Sequence, residues 1–133
     1  MRKIAGSGVQ MNKVGDWLYF TPEEVSARQI MEAVLAGEAE GAENVEIWEE
    51  IGVLEIALPS GHSVDFEAAT IHPKDEITKA FAEEKGAKTV FLVTFLPEDY
   101  KEATEIMDKV IAKTGGFFCG DTEDFTPVYP EVL

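Results

Sequence analysis

The chain has 133 residues, 45% of them apolar, and a formal net charge of −15 from 26 acidic and 11 basic side chains. One domain of this size buries a core without metals, and the single cysteine, Cys119, excludes an internal disulfide. The acidity repels nucleic acid and anionic membranes and favours cationic partners: basic proteins, polyamines or metal ions.

Residues 1–133 read as one domain. Residues 1–15 carry Arg2, Lys3, Lys13 and three glycines without a clear period, which predicts a flexible arm or a weak edge strand. Gly6-Ser7-Gly8 is no dinucleotide fingerprint, because Met11 stands where the third glycine belongs and no strand precedes it. This opening has no apolar core of a secretory signal, and no run approaches the roughly 20 residues that span a bilayer. A cytoplasmic protein is expected.

Trp17 to Phe20 is strand-like. Thr21 then offers a helix cap, Pro22 a first helical position and Glu24 the far side of a capping box. Ala27, Ile30, Met31, Val34 and Leu35 share one helical face, and Gly37 suits the helix end. Three strand-like runs follow. Asn44 to Glu49 puts Val45 and Ile47 on one side, and Gly52 to Leu58 gathers Leu54, Ile56 and Leu58. After the turn Pro59-Ser60-Gly61, residues Ser63 to Thr70 alternate: Val64, Phe66 and Ala68 against Ser63, Asp65 and Glu67. Only one face of that strand can be buried, which places it at an edge or over solvent.

Pro73 opens a shorter helix over residues 74–85 with Ile77, Ala80 and Phe81 as its stripe. Thr89 to Phe95 carries no charge on either face, the signature of a central strand covered on both sides. The last helix, residues 97–113, buries Ala103, Ile106, Met107, Val110 and Ile111. Gly115-Gly116 ends it, and Phe117 to Cys119 forms a short strand. Residues 121–133 read as an acidic C-terminal tail.

A phrase is written twice. Phe20-Thr21-Pro22-Glu23-Glu24 leads to Ile30-Met31, and Phe95-Leu96-Pro97-Glu98-Asp99 leads to Ile106-Met107, one residue out of step. Each copy sits inside a β-α-β unit. The fold class is therefore α+β: a mixed, mostly antiparallel sheet with two long helices on one face, as in ferredoxin-like β-α-β units, plus a central hairpin and a short helix. The uncharged strand would leave an apolar second face bare, which argues for a homodimer packing sheet to sheet, with cover by the short helix around Phe81 as the alternative.

The candidate chemistry is scattered. Cys119 lies between aromatic and acidic neighbours, which raise a thiol pKa, so it reads as structural. His62 falls in a turn and His72 precedes Pro73. With Asp65 and Glu67 they would make a metal site, but no tight spacing supports one, and no cofactor is implied. Two readings follow. The first is a small non-enzymatic interaction or regulatory protein with an acidic face for a basic partner, the profile of immunity-type inhibitors or nucleic-acid mimics. Its contact residues would be Glu46, Glu49, Glu50, Asp121, Glu123 and Asp124. The alternative is a small enzyme or a ligand- or metal-binding domain that gathers Cys119, Asp121 and Asp124 with His62 or His72.

Overall fold

A computed structural model describes residues 16–35, 44–69, 76–122 and 124–130. The arm at residues 1–15, Gly37, His72 and Pro73 lie outside the described residues. The strands are β1 (Asp16–Thr21), β2 (Val45–Trp48), β3 (Val53–Ala57), β4 (Ser63–Ala68), β5 (Thr89–Thr94), β6 (Phe117–Gly120) and β7 (Val128–Tyr129). The helices are α1 (Ala27–Leu35), α2 (Glu76–Glu84) and α3 (Tyr100–Thr114). The strands form one sheet in the order β2-β3-β4-β5-β1-β6-β7. Every pairing is antiparallel, so no mixed sheet is seen among these strands. The reason is topological. Each β-α-β crossover joins parallel strands that are not neighbours: β5 and β6 flank β1, while β1 and β2 are separated by β5, β4 and β3.

Sequence pattern decides what each face buries. Trp17 and Tyr19 of β1 point to the helical layer of α1 and α3, with Leu54, Ile56, Val64, Phe66, Phe91, Val93 and Phe118. Ile30 and Val34 of α1 and Ile106, Met107 and Val110 of α3 close that core, so the two matching stripes meet the same face. The alternate residues Leu18 and Phe20 point the other way. They join Ala82, Cys119 and Phe125, with Phe81, Val90, Leu92 and Phe117 packed against them. That second core is covered by α2 and by the segment that carries Phe125, whose ring stacks on Phe81 at 4.0 Å. The apolar second face that suggested a homodimer is thus covered within one chain over β1, β5 and β6.

α3 is fifteen residues long, and α1 is described over nine. The start of α1 lies five residues later than the Thr21 signal. Ser26 Oγ accepts the Gln29 N–H at 3.2 Å and Gln29 Oε1 accepts the Ser26 N–H at 2.9 Å, a reciprocal capping box. Thr21 is instead the fully buried last residue of β1, donating its hydroxyl to Thr114 O at 2.8 Å. The second copy also begins late, with Pro97–Asp99 forming a 3-10 turn ahead of α3. Strand β4 is interior to the sheet, between β3 and β5, and its polar residues face solvent. Within the expected tail, β7 pairs with β6. Gly120 is required there, since a Cβ would lie 2.4 Å from Thr126 O.

Phe91 is 1% exposed and Ile106 8%. Replacing either by alanine is expected to cost about 2–5 kcal/mol, the range for large-to-small core changes. Urea midpoints at unchanged slope measure this, and a loss below about 0.5 kcal/mol would mean the side chain does not sit in this core.

Candidate functional site

The two halves of the sheet differ in how they are covered. Over β2, β3 and β4 the α1/α3 face is apolar, and the opposite face carries Glu46, Glu55, Asp65 and Glu67 beside Trp48, Val53 and Ala57. Register lines these up. Glu46 of β2 pairs with Glu55 of β3, Glu55 with Asp65 of β4, Asp65 with Thr94 of β5, and Thr94 with Asp16 of β1. The Asp121 N–H then donates to Asp16 O at 2.9 Å, which brings a further acidic residue to the end of the row. Directly opposed side chains on one face sit roughly 4.5–5.5 Å apart at Cβ, and like charges so placed are destabilising. No strand among the described residues contains Lys or Arg. Among the described residues, Glu46, Glu55, Asp65 and Asp16 form no ion pair. The one internal partner shown for them is a neutral one: Ser63 donates its hydroxyl to Asp65 Oδ1 at 2.9 Å.

The residues expected from sequence to contact a partner divide. Glu46 lies in the row. Glu50 is exposed in the 3-10 turn Glu49–Ile51, beyond β2. Glu49 is taken up by Arg28, whose Nε donates to Glu49 Oε1 at 3.0 Å, and that bond holds the carboxyl below its ordinary value. Asp124 accepts the Thr126 hydroxyl at 2.7 Å and the Thr122 hydroxyl at 3.2 Å, and the Thr126 bond leads in lowering its pKa. It therefore closes the loop that seats Phe125. Glu123 lies outside the described residues, as do Glu38, Glu40 and Glu43. Glu55, Asp65 and Asp16 were missed as a set because only strand register unites them. The Glu46–Glu55 pair lay within reach of a hairpin argument.

Of the constellation proposed for an enzyme, Cys119 and His62 are not brought together. Cys119 is fully buried in the α2-side core. Burial first, and then Asp121, push its thiol up from 9.0 to about 12, while Lys85 opposes them. A protonated thiol is a poor nucleophile. His62 belongs to the other side of the sheet, in register with Val64 and Phe66. Its Nδ1 lies 2.9 Å from Oδ2 of Asp99, which is 3% exposed. That bond fastens the β3–β4 hairpin to the start of α3, and sequence gave no sign of it across 37 positions. His72 lies outside the described residues. Among the described residues no three His, Cys, Asp or Glu side chains are grouped to hold a metal ion.

Two shallow grooves lie on the helical side. One of about 430 Å³ is lined by Glu23, Gln29, Lys113 and Thr114, and one of about 240 Å³ by Leu35, Val45, Leu58 and Glu105 among others. Neither contains a histidine or a cysteine. No protein-family model matches the chain, and no curated protein or solved structure is significantly similar to it. Among the described residues no helix is long and apolar enough to cross a membrane.

Cys119 in the native protein is expected to resist alkylation near pH 7, and labelling within seconds at millimolar reagent would contradict its burial. The sign of its linkage is fixed. The folded thiol keeps its proton up to about pH 12 while the unfolded one loses it near 9.0, so stability falls as pH rises through that window. Cys119→Ala should flatten this slope in denaturant titrations on either side of pH 9. For the other pair, His62→Ala leaves a buried carboxylate without its partner and is expected to cost about 1–3 kcal/mol. A melting temperature equal to wild type would show that the bond carries no load.

Proposed function

We propose that this chain is a small non-enzymatic interaction protein that docks a basic protein segment on the open sheet face through Glu46, Glu55, Asp65 and Asp16. One observation carries the reading: Glu46, Glu55 and Asp65 are directly opposed carboxylates, continued through Thr94 to Asp16, and among the described residues none of them pairs with a cation. Such a row costs stability, and Ser or Thr at the same positions would keep the strands without the repulsion. A charge arrangement that opposes folding and has no cationic partner among the described residues is suited to an external one. The net charge of −15 adds a long-range field that steers a cation toward it.

The form of the row favours an extended polycation. Carboxylates spaced by the strand separation form a line across the sheet, which suits the Lys or Arg side chains of a partner. The scaffold is read as a ferredoxin-like variant, in which both crossovers place their helices on one face and leave the other open over β2, β3 and β4. Immunity-type inhibition of a basic protein and mimicry of a nucleic acid both fit this surface.

The double variant Glu55→Gln/Asp65→Asn separates function from fold. Its unfolding free energy is expected to rise by about 0.2–1 kcal/mol for each repulsive pair removed. Its affinity for a lysine-rich peptide, measured by titration calorimetry at low salt, should fall, and wild-type binding should weaken as salt screens the field. Equal affinity of variant and wild type would overturn the assignment of this face.

A further inference from the structure

The row of carboxylates ends on β2, and β2 ends the sheet. Among the described residues Val45–Trp48 pairs only with β3, so its outer edge presents backbone N–H and C=O groups at alternate positions. This edge has no proline and no lysine, two common devices that stop strand addition. It also carries an aromatic anchor. Trp48 is 44% exposed, whereas the only other tryptophan of the chain, Trp17, is fully buried. Ile51, three residues on, is 66% exposed.

We infer that the β2 edge receives an extended basic segment of a partner as an eighth strand, a mode that rests on the acidic-face reading above. Register dictates the chemistry of that segment. Its residue opposite Glu46 lies in line with Glu46, Glu55 and Asp65, where a Lys or Arg ends the run of like charges. Two residues away on the same face, its side chain meets Trp48, and a cation over an indole ring is again favourable. The intervening residues point to the helical side beside Val45 and Ile47, both half-buried, and are apolar. The occupant is therefore a strand that alternates basic and β-branched residues. Backbone bonds supply affinity and alternate side chains supply selection. A second copy of this chain is the wrong occupant on charge. It would bring −15 against −15 and set Glu46 of each copy beside an acidic strand.

The probe is an alternating lysine–valine heptapeptide, compared with two versions N-methylated at every lysine amide or at every valine amide. All three keep the charge, but each methylated version loses one edge of donors. The parent peptide is expected to shift Trp48 emission, and Trp48→Phe should abolish the shift. At least one methylated version should bind at least about tenfold more weakly than the parent, as should the parent on the exposed-site variant Glu46→Gln. Equal binding of all three peptides would overturn strand addition while leaving the acidic face as the docking surface. No binding of the parent also overturns it, and if polylysine fails to bind as well, the acidic-face reading falls with it.

Discussion

The structure depends on one strand that is buried on both sides. Trp17, Tyr19 and Thr21 of β1 are fully buried, as is Phe20 between them, and Leu18 is 6% exposed. Because successive side chains of a strand point to opposite faces, β1 feeds two cores at once. Trp17 stacks with Phe95 and Tyr100 on the α3 side, and Tyr19 stacks on Phe118. Phe20 meets Phe81 and Phe117 on the α2 side. The hydroxyl of Tyr19 lies 2.5 Å from both Thr114 Oγ1 and Gly115 O, so the end of α3 is tied to the same strand. Burial raises the pKa of that phenol, which keeps it a neutral hydrogen-bonding group.

This arrangement segregates charge. With α2 and Phe125 occupying the second face over β1, β5 and β6, polar residues on that face are confined to β2, β3 and β4 and to the strand ends. The consequence is visible in the alternation of β4, where Val64 and Phe66 are 1% exposed while Asp65 and Glu67 face outward. An acidic surface on one half of the sheet and a double core under the other are two results of one division. The carboxylates repel one another but not the core, so the double-covered half supplies the stability that the open half lacks.

Much of this was legible from periodicity. An unalternating run such as Thr89 to Phe95 announces cover on both faces, and alternation in Ser63 to Ala68 announces cover on one. Local chemistry was less decisive. Thr21 and Glu24 satisfy a capping pattern, but Ser26 and Gln29 satisfy it equally well and form the bonds. The choice between them is tertiary. Thr21 is held by Thr114, and Thr89 Oγ1 accepts the Val25 N–H at 3.1 Å and donates to Glu23 O at 2.7 Å, which fixes residues 22–25 as a loop. The His62–Asp99 bond and the continuation of the acidic row through Thr94 to Asp16 both depend on strand order. Sequence proximity orders β2 to β5 and β6 with β7 but does not place β1, which lies between β5 and β6.

The edge strand gains its meaning from the same division. An exposed edge is a liability because any extended chain can pair with it. Here the surrounding charge discriminates before contact is made. Repulsion between copies at −15 opposes edge-to-edge pairing of this protein with itself, and the same field raises the encounter rate of a basic chain. Glu46 repeats that selection at short range, since its carboxylate is adjacent to the β2 edge, unpaired among the described residues, and continues a row already crowded with negative charge. A neutral Ser at Glu46 would relieve the strain within the sheet but would admit acidic and basic strands alike. The carboxylate that weakens the sheet is thus the feature that would make its edge selective.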